Sequence, residues 1–256
     1  HLASDVDLSV VAKTTTGFSG ADLENVLNEA ALLAARNGRD AITMQDLQDS
    51  IVKVMMGVEK KTKKYTEKEK RLTAYHESGH AIVAAELPDH DRVYEISVIP
   101  RGMAGGYTMH LPGEDRFYRS KHEMEDEIVS LLGGRVAEMV AMDDISTGAS
   151  NDLERATEIA RKMVTKYGMS EKLGPVVFGS ERDEVFLGRD FVQNRNFSEE
   201  VASLIDEEIR SFVDRGMERA KEILTRKRAL LDRVAQTLIE KEKISGEEFE
   251  ALCKEA

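Results

Sequence analysis

Along most of the chain, apolar residues recur at intervals of three and four, the period of helices with one buried face. Leu23, Val26, Leu27, Ala30, Ala31 and Ala34 form one such series. It is opened by Ser19-Gly20-Ala21-Asp22, which reads as a capping box, and stopped by Asn37-Gly38. Met44, Leu47, Ile51, Val54 and Met55 form the next series, with Thr43 as its cap. With a short apolar segment at residues 8–12, residues 1–56 read as a small helical unit. Helices this short bury little core alone, so the unit is expected to pack on something adjacent or absent.

From Gly57 to Arg71, Lys and Glu replace the large apolar residues, and a domain boundary is expected there, dividing 1–58 from 59–256. The next helix is expected to start at Thr66 and to end at Leu87, because Pro88 disfavours helical backbone before it. Tyr94, Ile96 and Val98 then alternate with Glu95, Ser97 and Ile99, an imperfect strand pattern closed by Pro100. After a glycine-rich turn at residues 101–106, residues 107–111 read as a second strand ended by Pro112, giving a hairpin or small edge sheet. Ser120-Lys121-His122-Glu123 caps a helix that carries Gly133-Gly134, and a further helix is expected over residues 153–166. Residues 174–193 read mostly as loop. Ser198 opens a long helix, followed by helices near 229–240 and 246–254. The fold class is mainly α.

Composition narrows the classes. The chain has 256 residues, no Trp, and many Ala, Leu, Glu, Lys and Arg, which agrees with helix. A formal net charge of −12 argues against a phosphate-binding surface, so no nucleic-acid partner is expected. The single Cys253 excludes an internal disulfide and a Cys-rich zinc cluster. Neither a signal peptide nor an apolar run of membrane-spanning length is evident, and the polypeptide as given is expected to be soluble.

The chemistry is concentrated in Thr73-Ala74-Tyr75-His76-Glu77-Ser78-Gly79-His80-Ala81-Ile82-Val83. On a helix, His76 and His80 at i and i+4 stack on one face, where two ring nitrogens can reach one metal ion. Glu77 lies on the neighbouring face, where a carboxylate can take a proton from metal-activated water. A catalytic zinc needs a third protein ligand. The extended pattern H-E-x-x-H-x-x-G-x-x-H fails, since Val83 and Glu86 stand where it needs Gly and His. Asp152, in the first turn of an expected helix where the macrodipole favours a carboxylate anion, is one candidate. Glu138 is the rival. His90, His110 and His122 read as ordinary polar residues of a loop, a strand and a cap.

Four segments together resemble the peptidase domain of the FtsH family of membrane-anchored, ATP-dependent zinc metalloproteases. They are the stretch at 73–81, Ile96-Ser97-Val98-Ile99-Pro100-Arg101-Gly102, Leu132-Gly133-Gly134-Arg135-Val136-Ala137-Glu138, and Ser146-Thr147-Gly148-Ala149-Ser150-Asn151-Asp152-Leu153. Gly17-Phe18-Ser19-Gly20-Ala21-Asp22-Leu23 and Asn28-Glu29-Ala30-Ala31-Leu32 resemble the helical lid of its AAA+ ATPase. The resemblance implies Zn2+ held by His76, His80 and Asp152, Glu77 as catalytic base, and a structural role for Glu138. It also implies a homohexameric ring acting on unfolded proteins. ATP and Mg2+ would serve only the full-length protein, with Gly20 and Ala21 bordering the nucleotide. The parent would sit in the bacterial inner membrane through an N-terminal region, with this part on the cytoplasmic side. No G-x-x-x-x-G-K-[ST] loop occurs, so the chain reads as a C-terminal fragment without ATPase activity of its own. A ring-forming assembly module with a closed structural metal, or a nucleotide-responsive adaptor resting on residues 1–56, are the alternative readings.

Overall fold

The computed structural model describes residues 1–59, 66–102, 104–111, 118–179 and 197–255. Helix α1 (Leu8–Thr14), α2 (Gly20–Arg36) and α3 (Met44–Met56) form the N-terminal unit. Ser19 with Asp22 closes the expected capping box, and the expected Thr43 cap also forms a box, with Asp46, each side chain serving the other's backbone N–H. The unit does not stand alone. Val26, Ala30, Leu47, Ile51 and Val52 share a core with Tyr107 and Met109 of the sheet beyond, and Gln48 donates to the Tyr94 hydroxyl at 2.5 Å.

Helix α4 (Glu67–Glu86) starts at the Thr66 cap, in a capping box with Glu69, and ends at Leu87. Every residue from Ala74 to Ala84 is buried, so this helix has no solvent face through its middle. It is enclosed by α5 (Lys121–Met142), α7 (Glu199–Arg226), α8 (Arg228–Lys241) and the sheet. The crossing with α5 is close: a methyl on Gly79 would lie 2.4 Å from the Gly133 carbonyl oxygen, so the two helices meet backbone to backbone. Helix α6 (Ser150–Thr165) follows a 3-10 turn at Thr147–Ala149 and packs on α5 and α7.

Strands β1 (Arg92–Ser97), β2 (Tyr107–Leu111) and β3 (Lys243–Ser245) form an antiparallel sheet in the order β2-β1-β3. The hairpin of β1 and β2 was legible, but β3 was not. Three residues are too few to display alternation, and β3 exists because Ile244, fully buried, pairs with Ile96. Sequence alternation in β1 is imperfect because both faces are covered and a bulge shifts the register between Val93 and Glu95. Helix α9 (Gly246–Lys254) closes the chain over β1. Part of the expected boundary, residues 60–65, and most of the expected loop, residues 180–193, lie outside the described residues. No helix among the described residues is long and apolar enough to cross a membrane.

Candidate metal centre

The buried middle of α4 carries two histidines and a glutamate, whose ionisable groups need partners there. His76 and His80, one helical turn apart, aim their Nε2 atoms at one point, 3.0 Å from each other. Asp152, in the first turn of α6, completes the group: its Oδ2 lies 3.3 Å from His76 Nε2 and 3.5 Å from His80 Nε2. Ligands about 2.0–2.2 Å from a tetrahedral zinc stand roughly 3.3–3.6 Å apart; both separations to Asp152 match this, and the two ring nitrogens, at 3.0 Å, need to part by only a few tenths of an ångström to share a cation. The outer nitrogens are also engaged. His76 Nδ1 is 2.7 Å from Glu138 Oε1, and His80 Nδ1 is 2.8 Å from the Ser130 carbonyl oxygen. With Nδ1 engaged in both rings, Nε2 is the atom each ring turns inward, available to a metal once it gives up its proton.

Glu138 is therefore behind His76 rather than beside the cluster. It also accepts from the Ser146 backbone N–H at 2.6 Å and from the Ser146 hydroxyl at 3.1 Å. Ser146 caps the turn that leads to Asp152, so one carboxylate orients a histidine on α4 and the segment delivering the acid on α6.

Electrostatics favour a cation. Burial opposes charge on His76, yet hydrogen bonds to Asp152 and Glu138 outweigh it and push the imidazole up to about 10. Burial likewise opposes ionisation of Asp152, but its hydrogen bonds to His76 and His80 hold the carboxyl far below the ordinary carboxylate range. Glu138 is lowered against its own burial by His76 and Ser146. Two anions facing imidazoles create a demand for positive charge that a divalent ion satisfies. The space is kept by Gly134, where a methyl would stand 2.5 Å from both Nε2 atoms. Donor set, spacing and cradle all fit zinc.

Glu77 lies beside the cluster, 6% exposed, and its pKa is raised by burial, partly offset by His76 and His80. The Thr108 hydroxyl on β2 donates to Glu77 Oε2 at 2.9 Å. Glu77, the two histidines and Asp152 line a cleft of about 1100 Å³, bordered by β2, α5 and α6, so the centre opens to a cavity large enough for an extended chain. This argues against a closed structural metal.

Two histidines read as ordinary from sequence also line this cleft. The His90 and His110 rings meet edge to face with centroids 4.7 Å apart, and burial, with His90 and His80 nearby, holds His110 neutral, down to about 3. His110 Nδ1 is buried with no hydrogen-bond partner among the described residues. Thr108 and His110 share one face of β2, and the period of two would have placed them together had that face been known to meet α4. His122 is exposed and pairs with Glu125. Gly20 and Ala21 open α2 on the surface and line no part of the cleft.

Two imidazoles one helical turn apart, an aspartate from another helix as the third donor and a buried carboxylate at an open cleft define a metallohydrolase of the HExxH kind. The chain belongs to peptidase family M41, which matches residues 63–252, while residues 5–49 match the AAA+ lid domain. It is 60% identical over 254 residues to the ATP-dependent zinc metalloprotease FtsH of Caldicellulosiruptor bescii, an alignment covering 99% of this chain and 41% of that protein. It is 59% identical over 249 residues to ATP-dependent zinc metalloprotease FtsH 1 of Thermoanaerobacter sp., covering 97% and 41%. With the Thermotoga maritima FtsH it shares 53% over 255 residues, covering 99% and 42%. The chain thus spans about two fifths of the length of these relatives.

Proposed function

We propose that this chain is a zinc-dependent endopeptidase that hydrolyses unfolded or translocated polypeptides. In the full-length protein this activity would be coupled to AAA+ ATP-driven unfolding and to membrane-protein quality control. The observation that carries the reading is the convergence of His76 Nε2, His80 Nε2 and Asp152 Oδ2 within 3.5 Å of one another beside buried Glu77.

Zinc held by these three residues would supply Lewis-acid polarisation of a water molecule and of the peptide carbonyl. Glu77, kept at the cluster by α4, takes the proton of that water and later gives it to the leaving amine. Its raised pKa suits this exchange, because a base nearer neutrality is also a better donor afterwards. Glu138 and the Ser130 carbonyl hold the histidine rings in the orientation the metal needs. Strand β2 is at the sheet edge and borders the cleft, so an extended substrate pairs with it backbone to backbone, with little dependence on side chains.

The reading divides the chain at 58/59 into an AAA+ lid and the peptidase domain. It includes a homohexamer and an N-terminal membrane region in the parent, with this part on the cytoplasmic side of the bacterial inner membrane. Gly20 and Ala21 border the nucleotide in the complete protein. These rest on the likeness to the FtsH relatives and on the lid match. Glu77→Gln tests the chemistry: the variant should retain stoichiometric zinc and lose casein cleavage by a factor of about 10² or more. Equal turnover in the two proteins would refute the assignment of the base.

A further inference from the structure

We propose that Thr108 is a positioning residue for the base, fixing one oxygen of Glu77 and tying the substrate-pairing strand to the helix that bears the chemistry. The inference rests on the reading of Glu77 given above. A buried carboxylate with a free χ angle has several places to point, and proton transfer tolerates few of them. Among the described residues, only one hydrogen-bond donor reaches the Glu77 carboxylate. It is the Thr108 hydroxyl, 2.9 Å from Oε2, which also stands 3.1 Å from the Glu77 main-chain oxygen. Oε1 makes no hydrogen bond among the described residues, which leaves it as the oxygen that exchanges the proton.

The hydroxyl is held in place from several sides. Thr108 pairs with Ile96 across the β1–β2 ladder. Its neighbours Tyr107 and Met109 point the other way, into the core shared with α2 and α3, and anchor the strand from behind. Where β2 begins, a methyl on Gly106 would fall 3.0 Å from Glu77 Cγ and 2.7 Å from Thr73 Cγ2, so the strand enters in direct contact with the base. A substrate pairing with the free edge of β2 therefore meets the same element that orients Glu77. Strand and base are in register before the substrate arrives, and this contact belongs to neither the zinc ligands nor their supporting shell.

The test compares the zinc-loaded wild type with Thr108→Val, Thr108→Ser and Glu77→Gln on a quenched fluorescent peptide, with zinc content and thermal unfolding measured for each. Thr108→Val keeps the shape and removes the donor. It should lower kcat about tenfold or more while KM stays within about twofold and zinc content is unchanged. Thr108→Ser should restore most of the loss. In crystals of the two variants, Glu77 should keep one rotamer with Ser and spread over more than one with Val. Wild-type kcat in the Val variant, a loss confined to KM, a Ser variant as slow as Val, or a single unchanged Glu77 rotamer in Val would each overturn the proposal. Should Val not yield folded protein, Thr108→Ala takes its place under the same criteria. Full activity in Glu77→Gln would instead sink the reading of the site itself, whereas an inactive Gln variant beside a fully active Val variant would sink only the role of Thr108.

Discussion

The division of labour between Asp152 and Glu138 turns on a few ångströms. Both are acids within reach of His76, but one faces Nε2 and the other Nδ1, and only the first shares a point with His80. Removing each should therefore have a different consequence. Asp152→Ala deletes a proposed ligand and should abolish stoichiometric zinc, whereas Glu138→Gln, which leaves the three proposed ligands intact, should weaken zinc by about 10- to 100-fold in chelator competition. Unchanged affinity in Glu138→Gln would contradict the supporting role. The histidine pair and Glu77 were legible from i, i+1 and i+4 spacing on a helix. Spacing alone left the third position open between Asp152 and Glu138, because Asp152 is 76 positions from His76 and only the folding of α5 between them brings it near; the family resemblance favoured Asp152. Thr108, His90 and His110 stayed hidden for a related reason: the face a strand residue takes depends on partners remote in the chain.

Helices were the readable elements, since their ends are written locally. The capping boxes at Ser19, Thr43, Thr66 and Ser120 all form, each from a residue and its neighbour three places on. The box at Thr43 yields a pH prediction. Asp46 is nearly fully buried; burial raises its pKa, but hydrogen bonds from Thr43 and the Arg39 guanidinium prevail and hold it below 3.8. Because the folded pKa is depressed, the stabilisation is present above the unfolded value and is lost as pH falls through the folded one. Asp46→Asn should thus cost on the order of 1–2 kcal/mol in urea unfolding at pH 7, and the gap to wild type should shrink once pH drops below about 4. A gap independent of pH would contradict it. At the crossing of α4 and α5, Gly134→Ala should lose zinc outright, read by metal analysis, because its methyl would press on both Nε2 atoms. What stayed illegible at this scale was β3, whose pairing with β1 is set by tertiary burial of Ile244 rather than by any local pattern.

At the scale of the whole molecule, zinc at the proposed site would join helices that otherwise meet through intermediaries. Helix α6 packs on α5 and α7, and it reaches α4 through Asp152. Binding at that junction adds its free energy to the fold, so a chelator should lower the melting temperature of the wild type by several degrees and leave Asp152→Ala unmoved. The N-terminal helices lean on the back of β2 through Tyr107 and Met109, the strand whose other face meets Glu77. The sequence contains no phosphate-binding loop, so the purified 256-residue polypeptide should cleave unstructured casein at the same rate with or without ATP and should spare a folded substrate. ATP-stimulated degradation of the folded substrate by this polypeptide would contradict that. The most direct test of the central claim is an anomalous difference map collected at the zinc absorption edge from crystals grown with zinc. The account predicts one strong peak about 2 Å from His76 Nε2, His80 Nε2 and Asp152 Oδ2; a peak coordinated by Glu138 or Glu77 in place of Asp152, or none at this cluster, would contradict it.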